Sequence, residues 1–245
     1  MAKKQNTKTN NKKKLYASGV IVLLLVLFLL ALYWLYQRTR QKGADVDASI
    51  YELSGIDVSS HNGDIDFASV KDAGVNFVFI KSTEGANFKD PKFEYNYVQA
   101  LENKFFVGTY HFFRFDVDGI EQANNFMSAV GDKYFDMPLV LDVEEHGNPY
   151  VFIKSKVVRE LRDMVDELIA NNYKVMFYTN KDGYNKFIKG NFDDYPLWLC
   201  AFSKPEGIDW TIWQYSHWGE VDGIKGDVDL NIFYGNSEQW RKWLE

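Results

Sequence analysis

Two carboxylates, Asp142 and Glu144, lie two residues apart at the end of the apolar run PLVLDVE (138–144). In a β-strand, residues at this spacing point to the same face, with Cα atoms about 6.5 to 7 Å apart. Like charges held close together at reduced dielectric raise the pKa of one carboxyl group, which then stays protonated as a general acid beside an ionised neighbour. Glycoside hydrolysis requires such a pair. A solvated strand end or a metal site would show the same pattern.

Other apolar runs also end in residues that could act in catalysis or binding. Asp57 follows a short apolar start in GIDVSSHNG (55–63), and Asp229 lies in the late run DVDLN (227–231). Aromatic rings with polar tips pack on sugar rings, although most aromatic residues belong to the core. The aromatic candidates near the ends of runs are Tyr110, Tyr178, Trp198, Trp213, Tyr215 and Trp218.

A metal site and an activated serine are both poorly supported. His61 and His111 could ligate a metal, but the sequence has no His-x-x-x-His or comparable spacing. It also has no Gly-x-Ser-x-Gly nucleophile elbow. The single cysteine, Cys200, excludes an intramolecular disulfide framework and a cysteine-rich zinc or iron–sulfur site.

The apolar runs predict eight β-strands that position these side chains. Several runs are continuously apolar, which is typical of parallel strands covered on both faces. Helical patterns lie between them, the clearest being a stripe of apolar residues within 157–168. The predicted strands are 55–58, 76–80, 105–112, 138–143, 174–178, 197–201, 211–215 and 228–232.

This alternation of strands and helices predicts the α/β class, with a parallel sheet closed into a barrel. In (β/α) barrels the catalytic groups lie at the C-terminal ends of the strands, where the residues above are found. The roughly 190 residues available are few against the roughly 250 of a typical barrel, and the last three strands are closely spaced. We therefore expect an irregular, TIM-like barrel in which some helices are shortened or missing.

The charge of the chain is divided unevenly. Residues 1–44 hold nine basic residues and no acidic residue, which leaves 19 basic and 34 acidic residues from Asp45 onward. The acidic charge of residues 45–245 argues against nucleic-acid binding, because such binding requires lysine and arginine side chains that neutralise the phosphates. Hydrophobic residues at 46% and aromatic residues at 17% exclude a disordered chain.

An uncharged run of 22 residues, 15–36, predicts a transmembrane helix. At about 1.5 Å per residue it spans the roughly 30 Å hydrocarbon core of a bilayer. Six lysines precede the run and three basic residues follow it, so the positive-inside rule places the N-terminus in the cytoplasm. A cleaved signal peptide is the alternative, but its apolar region usually has about 7 to 15 residues.

These features divide the chain into four parts. We expect a basic cytoplasmic tail at 1–14, a transmembrane helix at 15–37, a polar linker at 38–53 and the barrel domain at 54–245.

Taken together, the ends of the predicted strands resemble the family 25 glycoside hydrolases, which are the Chalaropsis-type lysozymes or N-acetylmuramidases. The matching segments occur in the family's order and cover nearly all of residues 54–235. They are GIDVSSHNG (55–63), FVFIKSTEG (77–85), GTYHFF (108–113), PLVLDVE (138–144), PLWLCAF (196–202), WQYS (213–216) and VDLNIF (228–233).

The resemblance implies an irregular barrel that cleaves the β-1,4 bond between N-acetylmuramic acid and N-acetylglucosamine in peptidoglycan strands. Glu144 would be the general acid and Asp142 its partner, with Asp57 and Asp229 as further catalytic carboxylates. A retaining route is implied, in which the substrate's own N-acetyl oxygen attacks the anomeric carbon, while a direct nucleophile stays open. No metal or other cofactor is implied. The expected substrate-binding residues are Tyr110, Tyr178, Trp198, Gln214 and the neighbouring Tyr215.

Two residues depart from the family pattern. Cys200 and Phe202 stand where members often have alanine and tyrosine. Phe202 lacks a hydroxyl group, so a substrate hydrogen bond from that position would be lost, while the acid chemistry would be unaffected.

The predicted protein is thus a single-pass protein of the bacterial cytoplasmic (inner) membrane, with its catalytic domain on the periplasmic or cell-wall side. Its expected partners are peptidoglycan strands and the lipid bilayer, and the sequence identifies no protein partner. Two other functions stay open. One is a catalytically silent peptidoglycan-binding scaffold, and the other is a glycosidase for another N-acetylated polymer such as chitin.

Overall fold

The structure is a computed structural model that describes residues 2–39, 43–44, 46–47 and 50–245. It contains two compact units, Met1–Gln41 and Lys42–Glu245. Part of the predicted linker, at 40–42, 45 and 48–49, lies outside the described residues.

The first unit is one helix, α1 (Ala2–Thr39), which includes both the predicted basic tail and the predicted transmembrane run. Its segment Ser18–Tyr36 is long and apolar enough to cross a membrane. A signal sequence near the N-terminus would meet the same criterion of length and composition.

The second unit is a closed barrel of eight strands, as the sequence predicts. The first strand, β1, pairs with both β2 and β9 and so closes the sheet. A short ninth strand, β3, pairs with the end of β2 outside the closed ring. The strands are β1 (Ser54–Val58), β2 (Phe77–Glu84), β3 (Phe88–Lys89), β4 (Phe106–Phe112), β5 (Leu139–Asp142), β6 (Val175–Asn180), β7 (Leu197–Cys200), β8 (Ile212–Gly219) and β9 (Val228–Phe233).

The helices cover the barrel unevenly, which confirms the expected irregularity. Helix α5 buries the predicted apolar stripe completely. Between β7 and β8 the described residues form no helix. The helices of this unit are α2 (Phe67–Asp72), α3 (Phe93–Glu102), α4 (Gly119–Val130), α5 (Lys154–Ala170), α6 (Lys181–Gly183), which continues into the π-helical turn Tyr184–Ile188, and α7 (Ser237–Leu244).

The last strand runs in the opposite direction to its neighbours, which corrects the expectation of a fully parallel sheet. Strand β9 is antiparallel to both β8 and β1. Only residues 220–227 connect β8 with β9, whereas a parallel crossover needs a dozen or more residues. A hairpin is therefore the only connection that this segment allows. It brings the start of β9 to the same end of the barrel as the C-terminal ends of the parallel strands.

Large aromatic residues fill the interior of the barrel. The ring of Phe79 stacks on Trp198 with centroids 4.4 Å apart, and Phe77 stacks on Trp240 of α7 at 5.2 Å. A Cβ atom at Gly108 would lie 2.5 Å from the Phe79 ring, so this position must be glycine for the rings to fit. The aromatic packing fills the barrel up to the level of Asp57 and leaves the C-terminal ends of the strands for polar groups.

Candidate active site

The four predicted carboxylates meet at the C-terminal end of the barrel. Asp57 on β1 is the register partner of Asp229 on β9, and Asp142 ends β5 with Glu144 two residues beyond. Asp57 and Asp142 are only 8% and 6% exposed. Their charges act on one another, because Asp57 affects Asp142 and Asp229 affects both Asp57 and Glu144. The hairpin direction of β9 places Asp229 at this end of the barrel.

Hydrogen bonds to backbone carbonyls fix the chain around the Asp142–Glu144 pair. The amide of Phe113, beyond the end of β4, donates to the carbonyl of Asp142 at 2.9 Å. Past the end of β5, the side chain of Asn148 donates to the carbonyls of both Glu144 and Phe113 at 2.9 Å each. Glu144 therefore lies on a restrained loop although it is outside the strand.

Burial gives both carboxyl groups a preference for the protonated form. It raises the pKa of Asp142 well above its usual range, and the charge of Glu144 adds to this, whereas Lys81 opposes it. Burial likewise raises the pKa of Glu144, against the opposing positive charges of His146 and His217. A carboxyl group protonated near neutral pH next to an ionised one suits general acid catalysis.

One side-chain oxygen of Asp142 is left without a hydrogen-bond donor. Within the part of the chain that the structure describes, Oδ1 of Asp142 is buried and has no hydrogen-bond partner. A buried acceptor of this kind carries a free-energy cost unless a donor reaches it. A substrate N–H or O–H group would supply that donor.

A hydrogen-bonded network holds Asp57 in place. Its Oδ2 accepts from Nε2 of Gln214 and from Nδ2 of Asn231, both at 2.8 Å. The Tyr178 hydroxyl donates to Gln214 Oε1 at 2.7 Å, and Trp198 Nε1 donates to Asn231 Oδ1 at 2.8 Å. Three of the predicted substrate-binding residues, Tyr178, Trp198 and Gln214, are therefore buried supports of Asp57.

Of the two other predicted substrate-binding residues, the structure brings one to the carboxylates. Burial raises the pKa of Tyr110, and the charges of Asp57 and Asp142 raise it further, so its hydroxyl lies within their electrostatic reach. Tyr215 follows the inward-facing Gln214 on β8 and points to the opposite face of the sheet. It packs there on an outer apolar cluster of Ala201, Trp213 and Ile232.

His217 is the functional candidate that the sequence analysis missed. Its Nδ1 donates a hydrogen bond to Oδ1 of Asp229 over 2.5 Å. Its Nε2 lies 3.6 Å from Sγ of Cys200, and its ring packs edge-on against Phe202 with centroids 4.7 Å apart. The short connection between β8 and β9 is the sequence signal that could have identified His217, because a hairpin brings it close to Asp229. The sequence analysis also gives no role to Lys81, Asn148 and Asn231, which act on Asp142, the Glu144 loop and Asp57.

The two histidines considered as metal ligands lie in different surroundings. His111 is fully buried, where its Nδ1 hydrogen-bonds to Thr83 Oγ1 at 2.7 Å and its Nε2 to Gln122 Oε1 at 3.2 Å. Burial lowers the pKa of His111 to about 3, so the ring is neutral. His61 is exposed in the turn after β1. Among the described residues, no group of three or more His, Cys, Asp or Glu side chains could hold a metal ion.

Comparisons with known proteins agree with this geometry. The sequence model of glycosyl hydrolases family 25 matches residues 56–224, which include Asp57, Asp142 and Glu144 but not Asp229. Lysozyme M1 of Streptomyces globisporus is 36% identical over 204 residues, which cover 76% of this chain and 69% of that protein. The protein YegX of Escherichia coli K12 is 34% identical over 219 residues, which cover 86% of this chain and 79% of YegX. The structure of a family 25 glycosyl hydrolase from Bacillus anthracis superposes with a TM-score of 0.76 at 33% identity, covering 84% of this chain and 99% of that one.

Proposed function

The chain belongs to glycosyl hydrolase family 25, and from this premise we propose how it cleaves its substrate. Membership confirms the resemblance found in the sequence, and the chain is a peptidoglycan hydrolase of the lysozyme type. We propose that the bond cleaved is the β-1,4 linkage between N-acetylmuramic acid and N-acetylglucosamine. The observation that carries the proposal is the Asp142–Glu144 pair at the open end of the barrel, because burial raises the pKa of both interacting carboxyl groups and so favours a proton held on the pair.

In the proposed first step, Glu144 donates its proton to the glycosidic oxygen as the bond from that oxygen to the anomeric carbon breaks. The N-acetyl oxygen of the substrate attacks the anomeric carbon from the opposite side and forms a cyclic oxazolinium ion. The unpartnered Oδ1 of Asp142 accepts a hydrogen bond from the N–H of that acetamido group. The negative charge of Asp142 then stabilises the positive charge that develops on the ring.

In the second step, a water molecule attacks the anomeric carbon, and the ionised Glu144 takes a proton from that water molecule. The oxazolinium ring opens, the acetamido group is restored, and the sugar leaves with its original anomeric configuration. Asp57 and Asp229 line the site beside the pair, and the Tyr110 hydroxyl contacts the substrate. A direct attack by Asp142 would also retain the configuration but would leave a covalent sugar ester on that residue.

The products released from purified peptidoglycan test this function. The full-length chain in detergent should release fragments with new muramic-acid reducing ends, which mass spectrometry after borohydride reduction identifies. Chitin digested in parallel should release little. Fragments from chitin alone would favour the other polymer, and fragments from neither substrate with the fold intact would favour a silent scaffold.

The chain is a cell-wall hydrolase with an apolar N-terminal helix compatible with either a signal or an anchor. We propose that Ser18–Tyr36 is an uncleaved anchor, with residues 1–14 in the cytoplasm and the domain from 54 to 245 outside. The protein should then stay in the membrane fraction after an alkaline carbonate wash and keep its N-terminal peptides. Protease added to spheroplasts should remove the barrel domain. A soluble product lacking the first 40 or so residues would instead identify a signal peptide.

A further inference from the structure

Cys200 and Phe202 both lie against His217. Sγ of Cys200 lies 3.6 Å from Nε2 of His217, and the Phe202 ring lies edge-on to the imidazole with centroids 4.7 Å apart. The ring of Trp218 packs against both Phe202 and His217, at 5.6 and 6.0 Å. These neighbours restrict the imidazole to one orientation. Cys200, Phe202 and Trp218 therefore form one local arrangement around His217.

The orientation of the imidazole is defined by hydrogen bonding as well as by packing. An ionised carboxylate only accepts hydrogen bonds, so the short contact with Asp229 Oδ1 places a proton on Nδ1 of His217. Nε2 then faces the thiol of Cys200, and about a third of the side chain, 36%, is open to solvent. Burial raises the pKa of the Cys200 thiol to about 12, so this neighbour is uncharged.

Charged groups from several strands surround His217. Asp229 is on β9, Asp57 on β1 and Glu144 beyond β5, and each of their negative charges favours the imidazolium form. Burial alone would lower the pKa of His217, but the hydrogen bond that His217 donates to Asp229 and the negative charge of Asp229 outweigh burial and raise it. The residue therefore carries a positive charge at slightly acidic pH, within the group of catalytic carboxylates.

We propose that His217 is a positioning residue for hydrolysis, which holds Asp229 in place and supplies a positive charge to the group of carboxylates that contains Asp229 and Glu144. The proposal rests on the proposed function, because it assigns His217 a task in the same reaction. The imidazolium acts through Asp229 and through its charge and takes no proton from the substrate. Cys200 and Phe202 hold the ring so that Nδ1 points at Asp229.

The charge of His217 has a definite effect on the pH profile. A nearby cation favours the ionised form of Glu144 and lowers its pKa. A general acid must be protonated, so kcat/KM falls on the basic side as Glu144 loses its proton. Removing the imidazolium of His217 should therefore raise the pKa of Glu144. The basic limb of the plot of kcat/KM against pH should then move to higher pH.

The test compares His217→Gln, Asp229→Asn and the double variant with the wild type in the full-length protein in detergent. Glutamine keeps a donor near Asp229 but has no charge. We expect His217→Gln to lower kcat about ten-fold or more, since small displacements of catalytic groups are costly, and to move the basic limb up by roughly half a pH unit. The double variant should be about as active as Asp229→Asn alone, because the two residues act as one unit. His61→Gln, at an exposed histidine outside the cluster, is the matched control and should change neither quantity.

A purely structural role for His217 predicts a different result. It would lower activity together with the urea midpoint of unfolding, and it would leave the position of the basic limb unchanged. That outcome, or additive losses in the double variant, overturns the proposal. NMR titration adds a direct measurement, because Asp229→Asn should lower the pKa of His217. An active wild type with an unaltered His217→Gln profile defeats this inference alone, whereas an inactive wild type defeats the proposed function and this inference with it.

Discussion

Glu144→Gln should remove most of the hydrolytic activity while the fold stays intact. Glutamine has nearly the shape of the glutamate side chain but has no proton to give to the leaving oxygen, and loss of a positioned general acid typically costs about 10²- to 10⁴-fold in rate. The loss should appear in kcat, because the residue acts at the transition state. Burial raises the pKa of Glu144, so replacing it with a neutral amide should not destabilise the protein. Initial rates of reducing-end release and a urea unfolding curve measure the two effects.

The neighbouring Glu145 provides the matched control for Glu144→Gln. Glu145 is exposed and forms an ion pair with Lys186. Glu145→Gln makes the same chemical change one residue away, and exposed ion pairs contribute about 1 kcal/mol or less to stability. Its activity should stay within about two-fold of the wild type. A Glu144→Gln variant as active as Glu145→Gln would rule out Glu144 as the acid.

Hydrophobic patterning was sufficient to predict the barrel. Each of the eight predicted strands corresponds to a strand of the closed ring, and the apolar stripe within 157–168 identified α5. The direction of β9 was predicted incorrectly, because an apolar run shows that a strand exists but not which way it runs. The length of the β8–β9 connection holds that information, since 220–227 is too short for a crossover.

Local sequence predicted the part of the candidate site that depends on short spacing along the chain. Asp142 and Glu144 interact electrostatically as their spacing predicts, although Glu144 lies beyond the end of β5. Alternation along β8 turns Tyr215 away from Gln214. The supports of Asp57 depend on contacts between β1, β6, β7, β8 and β9, which no single segment specifies. His217 is a further case, because its contact with Asp229 exists only after β8 and β9 have paired.

Asp142→Asn should also inactivate the enzyme, by about 10²- to 10³-fold in kcat. The expected loss follows from removing a negative charge that stabilises positive charge in the transition state, an electrostatic effect of about that size. Asparagine can still accept a hydrogen bond from the acetamido N–H, so KM should change much less than kcat. Rates measured at several substrate concentrations separate the two. An Asp142→Asn variant with kcat near the wild-type value would remove this residue from both routes, the acetamido-assisted one and the direct one.

The same substitution should change how stability depends on pH. Burial and the charge of Glu144 raise the pKa of Asp142 in the folded protein, while an aspartate in the unfolded chain has a pKa of about 3.9. Between these two values the folded state holds the proton more tightly than the unfolded state does. The free energy of unfolding of the wild type therefore falls as the pH rises from about 4 through the raised pKa, and this contribution is constant above it.

Asp142→Asn removes that contribution, so its free energy of unfolding should fall less steeply with pH than that of the wild type. The stability of the variant relative to the wild type should grow from pH 4 to pH 8 in urea unfolding followed by tryptophan fluorescence. Asp166→Asn, at an exposed position on α5, is the control and should keep the wild-type slope. Equal slopes for Asp142→Asn and the wild type would show that folding does not raise the pKa of Asp142. A steeper slope in the wild type, together with the loss of kcat, would mean that the catalytic carboxylate is kept at a cost in stability.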